Sequence, residues 1–506
     1  MNAATMNKVL AGILFFVSGW AGAAEVKPGD DLQAVLDAGE DLILQPKQLY
    51  TITETLRYKK PGQKIYTKDA RFPSDCAILR LADEELMELI NASGIKDAVL
   101  EHVICDGDRY NLSVVPKPKI GGGGQPALVH FGGEGADGQV IRNCVFMHTR
   151  TWSTLKMHEG ASNMLAENNL IFGAGVDPRG NGREANEKPF GWADGISCAA
   201  RDSMIRNNLI IDPTDVGVVL YCAPGTVVEN NAIAAVSRES LGGINLVDAL
   251  EFYQVDEDDT FFDYRGVKIR NNYIDAFGGR IHMAIPTGCG VWVRRWMGNI
   301  LAGGEVTGNT IAGGAAGYGI VAHGLKDWTF TGNVSTATYS GIPLHDDDDR
   351  PKPDDPAAFL YDKSSVEDCE LQPEFERSKR HIECLLRNSR APENKEGYRL
   401  HDYGEEEVEA VVNAAYIEML GRLPNSRELR DGIKMLESHR MNADDLRRDL
   451  MDNIVFQKQF GRVKPEELHP YRVKRWFRIC DKLIRKNGEM PDAITLYKDA
   501  LKELGQ

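Results

Sequence analysis

The segment RNNLII, Arg206 to Ile211, opens an apolar, strand-like run with two asparagines, which strands disfavour. The pattern recurs as ENNLIF from Glu167, ENNAIA from Glu229 and RNNYID from Arg270, with looser copies RNCVFM from Arg142, TGNTIA from Thr307 and TGNVST from Thr331. Taking the Asn before the apolar pair as a mark gives Asn143, Asn169, Asn208, Asn231, Asn272, Asn309 and Asn333, spaced by 26, 39, 23, 41, 37 and 24 residues. Three gaps lie near one short period, and three near that period plus an insertion. Short Val/Ile strands, Gly turns and Asn at one register of such a period predict stacked coils of parallel strands, a parallel β-helix. Asn fits there for two reasons. It tolerates left-handed backbone at a turn, and its amide can bond to the amide of the next coil, about 4.8 Å along the axis.

The chain of 506 residues is long enough for two or three domains. Its formal charge of −16 lacks the basic footprint of a nucleic-acid binder. Lys8, the apolar run VLAGILFFVSGW and the small residues Ala21 to Ala23 predict a signal peptide over 1–23. No later run reaches the about 20 apolar residues of a membrane span, so a secreted, periplasmic or cell-surface protein is expected. The nine cysteines cannot all pair. Cys369 and Cys384 flank a charged stretch and are the best disulfide candidates.

The β-helix is expected over 24–344. LQAVLDA, from Leu32, has helical periodicity and would cap the first coil, whose backbone and core are otherwise exposed. HDDDDRPKPDDP, from His345, begins an acidic, irregular linker over 345–404; a calcium-binding run is the alternative. From Glu405 the apolar spacing becomes helical, predicting an all-α domain over 405–506. A fragment ending near Pro343 is expected to fold alone.

Over 26–335 these segments resemble the right-handed parallel β-helix superfamily that includes pectate lyases and polygalacturonases. The resemblance implies a mainly β fold, a right-handed parallel β-helix followed by the small helical domain. Tyr416, Leu420, Gly421, Arg422, Pro424, Phe456 and Phe460 resemble a helical domain of unknown function found in bacterial secreted and surface proteins. That implies an exported bacterial protein and no reaction.

A second set of strands follows glycines: DGISCA from Asp194, VGVVLY from Val216, GGINLV from Gly242, RIHMAI from Arg280 and YGIVAH from Tyr318, with LKMH from Leu155 in the same column. Alternation places Ile196, Val218, Ile244, Ile281 and Ile320 inward. The outward rows then read Lys156, Ser197, Val219, Asn245, His282, Val321 and His158, Ala199, Tyr221, Val247, Ala284, His323. This face, rich in His, Tyr and amide groups, is the candidate groove.

Asp194 and Asp215, 21 residues apart, fall about one coil apart near the start of the same strand column. Such a pair either shares a proton, binds a cation such as Ca²⁺, or caps its turns. In the polygalacturonase pattern WADG matches through Asp194 and TDVG retains Asp215, but Val216 replaces a second Asp and LGGIN lacks the expected His. The β-helix lyases imply other chemistry: a cation neutralises a uronate carboxylate while Lys, Arg or His removes the adjacent proton. Lys156, His158, Arg238, His282 and Arg294–Arg295 are suitable groups, with Tyr221, Asn245, Asp248 and His323 as substrate contacts. Long insertions bring Trp192, Phe252, Tyr253 and Trp292 as sugar-stacking candidates. The expectation is a protein acting on an acidic polysaccharide, as a lyase at a uronic acid. The alternatives are a hydrolase using Asp194 and Asp215, or a non-catalytic carbohydrate-binding rod.

Overall fold

The computed structural model describes residues 22–112, 126–175, 193–247, 261–288, 300–341, 355–378, 405–438, 440–441, 443–462 and 468–505. Each coil visits three sheets in turn. Met204–Arg206 lies in the first, Leu209–Ile211 in the second and Val216–Tyr221 in the third, before Val227–Glu229 returns to the first. The three sheets hold fourteen, ten and eleven strands, and successive coils pair in parallel. Ile205, Ile210 and Val218 point from the three walls into one fully buried core. The fold is the parallel β-helix expected from the repeat.

The helix Leu32–Asp37 closes the first coil. Asp31 caps it by accepting from the Ala34 N–H, and Leu32 and Leu36 are buried in the core.

The paired asparagines occupy the turn from the first sheet to the second and divide the two jobs between them. The first of each pair, Asn168, Asn207, Asn230 and Asn271, has φ of 54–57°. The second is buried. Asn208 Nδ2 donates to Asn231 Oδ1 at 2.9 Å and to the Ala166 carbonyl at 3.0 Å, while its backbone N–H also donates to Asn231 Oδ1. The same bonding links Asn169, Asn208, Asn231, Asn272, Asn309, Asn333 and finally Gln372. The expected member Asn143 belongs to the left-handed column instead, with φ 51°, and Cys144 holds the ladder position.

A second ladder runs along the outside of the first sheet. Glu101, Arg142, Glu167, Arg206, Glu229 and Arg270 stand in register on successive coils. Ion pairs of 2.7 Å join Arg142 to Glu101, Arg206 to Glu167 and Arg270 to Glu229. The alternating charges oppose slippage by a whole coil, which the uniform Asn column alone permits.

The linker expected over 345–404 needs correction. Phe359–Asp362 pairs with Ala316–Ala322, and Val366–Glu367 and Glu370–Leu371 both pair with Leu325–Thr331. A further coil therefore extends the β-helix to Ser378, closed by Gln372 on the amide ladder. Acidic composition concealed it because its strands themselves carry exposed charges, Glu367, Glu370 and Glu376 among them. Cys369 is a free thiol, and Cys384 lies outside the described residues.

Helices Glu405–Leu420, Ser426–Glu437, Ala443–Met451, Ile454–Phe460, Leu468–Asn487 and Ala493–Gly505 form the C-terminal domain. It does not stand apart. Val473, Trp476, Leu496, Tyr497 and Ala500 form one buried cluster with Leu170, Phe172, Leu209, Ile211 and Ala232 on the outside of the second sheet. Tyr497 donates to Asp275 at 3.0 Å, Arg447 to the Val236 carbonyl at 2.6 Å, and Arg280 pairs with Glu407 at 3.1 Å with both side chains 0% exposed. Continuous apolar strands such as LII need cover on both faces, and these helices supply the outer one. This shared cluster argues against the expectation that a fragment ending near Pro343 folds alone.

Candidate active face on the third sheet

The third sheet carries a column of small residues, Gly195, Gly217, Gly243, Ala284 and Gly319, near the corner where each strand begins. A Cβ on Gly195 would come within 2.9 Å of Ile210, and one on Gly217 within 2.5 Å of Ile233. These positions therefore face the core. The residue before each glycine points outward, as do the second and fourth after it.

The register sets His130, Lys156, Ser197 and Val219 side by side on consecutive strands, with Asn245 next. The neighbouring row contains His158 and pairs Tyr221 with Val247. The expected outward rows hold from Lys156 to Asn245 and from His158 to Val247. They fail at His282. Gly242 pairs with Met283 and Leu246 with Thr287, which puts Asn245 beside Pro286 and His282 beside Leu241. Ala284 fills the small-residue column there, and Pro286 takes the place beside Asn245 that the sequence alignment gave to His282. His282 is fully buried at the corner and bonds to Glu239. His323 is buried at the far end of the His158 row, where burial pushes it down to about 4. Arg238 is not on this face. It is buried where the helical domain meets the β-helix, donates to the Gly175 carbonyl and lines a cavity with Tyr110, Arg472 and Trp476. Trp192, Asp248, Phe252, Tyr253, Trp292, Arg294 and Arg295 lie outside the described residues.

Two histidines adjoin the lysine, His130 across the strand pair and His158 two residues on. The His130 and His158 rings are 5.3 Å apart. His130 Nδ1 bonds to Glu88 Oε1 at 3.0 Å, and Asn91 Nδ2 donates to Glu88 Oε2 at 3.0 Å. Burial works to raise the Glu88 carboxyl, but these two bonds outweigh it and the net shift is downward. Burial lowers the Lys156 ammonium, and Glu159, Glu88 and Asp194 partly restore it. His158 is pushed down to about 4 by burial and then by Lys156 and His130. Burial raises Glu159 beside them. Glu88, His130 and Glu159 were absent from the sequence reading; EL and VH offered no repeat to align until the strands Ile90–Asn91 and Ala127–Gly132 were paired.

Behind the lysine lies a polar chain. Ser153 and Ser197 share a hydrogen bond between their hydroxyls, and Ser197 Oγ bonds to Asp194 Oδ2 at 2.6 Å. Asp194 is buried and half-buried Asp215 is close enough to repel it. Burial first, and Asp215 second, raise Asp194 well above the carboxylate range. Ser153, Lys156, Met157, Glu159, Ser197, Ala199 and Tyr221 line one small open pocket.

Asp194 and Asp215 are the carboxylates that would hold the expected calcium, with the rest of the six to eight oxygens Ca²⁺ takes left to backbone carbonyls and water. Among the described residues no group of three or more His, Cys, Asp or Glu is placed to hold a metal. No described helix is long and apolar enough to cross a membrane.

No family model matches the chain, and no curated protein matches it. Among solved structures it is similar to an alginate lyase from Paenibacillus sp. str. FPU-7, at 13% identity over 62% of this chain and 96% of that one, with a TM-score of 0.39. It is also similar to the catalytic domain of a GH87 alpha-1,3-glucanase, at 11% identity over 71% and 68% with a TM-score of 0.39. An endo-xylogalacturonan hydrolase from Aspergillus tubingensis gives 12% identity over 71% and 99% with a TM-score of 0.37. Likeness at this level concerns the fold and carries no argument about chemistry.

Proposed function

We propose that the chain is an exported polysaccharide lyase that cleaves a uronic-acid polymer by β-elimination on the outer face of the third sheet. The observation that carries this reading is Lys156 in register with His130 on the adjacent strand and two residues before His158 on its own, with the two rings 5.3 Å apart. Elimination needs a cation against the substrate carboxylate, because the carbanion beside it is otherwise too costly. Lys156 supplies that charge. It also needs a base that is neutral at working pH. His158 is neutral near pH 7 and a weak base at rest. A bound carboxylate offsets the Lys156 charge that helps depress it, so substrate itself strengthens the base. The Tyr221 ring lines the same pocket and would contact the sugar.

The raised Asp194 beside Asp215 favours a second reading, hydrolysis with Asp194 as general acid. Incubation with alginate, polygalacturonate and glucuronan separates the two. Elimination gives unsaturated ends that absorb in the ultraviolet. Hydrolysis gives new reducing ends without that absorbance, and binding with neither product leaves a carbohydrate-binding rod. A chelator in the same assay tests the calcium expectation.

A further inference from the structure

Proton removal by a histidine leaves half of an elimination unexplained, because the departing sugar oxygen leaves as an alkoxide unless it gains a proton. The hydrogen-bonded chain Asp194–Ser197–Ser153 ends where such a proton is needed. Backbone register pairs Ser153 with Asp194 and Lys156 with Ser197, so all four side chains share two adjacent strands. Both serines line the pocket that Lys156 and Tyr221 also line, at 2% and 4% exposure, and Asp194, at 6%, does not line it.

We propose that Asp194, Ser197 and Ser153 form a proton relay, with Ser153 donating to the leaving oxygen; this rests on the lyase reading above. The histidine takes the proton from C5, and that C–H electron pair becomes the C4=C5 double bond. The C4–O bond breaks with its pair on oxygen. That oxygen takes the Ser153 hydroxyl proton, Ser153 takes the proton of Ser197, and Ser197 takes the carboxyl proton of Asp194. The step ends with a carboxylate at Asp194 and an imidazolium at the histidine. Solvent then returns a proton to the first and removes one from the second. Asp194 is suited to start the relay because its surroundings keep it protonated, and Asp215 opposes its ionisation. The repulsion that an ionised pair would feel keeps the proton on Asp194 at rest, so it is in place when the leaving oxygen needs it.

A role in holding the strands together predicts a different pattern from a role in proton delivery. The test compares a polymer, whose leaving group is a sugar alkoxide, with the same uronic acid carrying a 4-nitrophenoxy group at C4, whose phenolate departs without a proton. For Ser153→Ala and Ser197→Ala in the full chain, kcat on the polymer should fall by about 100-fold with KM little changed. Turnover of the nitrophenoxy probe should stay near wild type. Ser153→Thr, which keeps the hydroxyl, should restore polymer cleavage. Equal losses on both probes, or no loss on either, overturn the relay and leave the lyase reading standing. A wild-type chain that eliminates from neither probe overturns the lyase reading and the relay together.

Discussion

Replacing Asn231 with Ala tests the amide ladder where its geometry is most complete. The side chain is 0% exposed. Its Oδ1 accepts from the N–H and Nδ2 of Asn208, both at 2.9 Å, and its Nδ2 donates to the Ile205 carbonyl and to Asn272 Oδ1, both at 3.0 Å. Alanine takes a bond from four polar groups at once. Asn272 Oδ1 keeps the Asn231 backbone N–H, so the acceptors lose less than the donors. The Asn208 N–H loses its acceptor outright, while Asn208 Nδ2 keeps the Ala166 carbonyl; at about 1–3 kcal/mol for an unsatisfied buried group, the loss is about 3 kcal/mol. Asn230, next in sequence, is exposed with φ 54°. There Ala adds only the left-handed backbone cost of about 1–2 kcal/mol, and Gly adds almost none. Thermal unfolding of Asn231→Ala, Asn230→Ala and Asn230→Gly should rank them in that order of damage. Equal damage from the first two refutes the division of labour between the paired asparagines.

Three further outcomes follow. Burial pushes Asp275, under the helical domain, up to about 6. The folded state thus holds a proton that the unfolded chain releases near its ordinary value of about 4, so this stability is present at low pH and lost as pH rises through the raised value. Asp275→Asn should abolish that loss and raise stability at pH 7 by about 2–3 kcal/mol, measured by melting at several pH values. A chain stopped after Ser378 bares Phe172, Leu209 and Ile211 on the second sheet, and should be insoluble or bind a hydrophobic dye; a soluble, cooperatively melting fragment contradicts the shared core. Arg206→Glu sets a third carboxylate between Glu167 and Glu229 in one row and should cost about 1 kcal/mol in low salt, less in high salt; a salt-independent loss shows that packing, not charge, is at stake.

The architecture was legible because its signal is repeated. The recurring Asn marks fixed the coil, and glycines at one place in each coil fixed the third sheet. The Arg/Glu alternation is also written in the first letters of RNN and ENN. The helical domain's docking was not legible, because LIF and LII read the same whether their outer face meets helices or another partner. His282 was misplaced because Ala284, not a glycine, marks its coil. Asp194 and Asp215 were legible as a pair through their one-coil spacing, whereas Glu88, His130 and Ser153 act through cross-strand neighbours that no local pattern announces.

The mass of the products formed from a uronic-acid polymer separates elimination from hydrolysis. Each oligosaccharide released by elimination has one end lighter by a water than the product of hydrolysis at the same bond. Products bearing that lighter, unsaturated end should be formed by the wild-type chain and lost in Lys156→Ala. Saturated, full-mass oligosaccharides, or elimination that survives in Lys156→Ala at the wild-type rate, contradict the lyase reading.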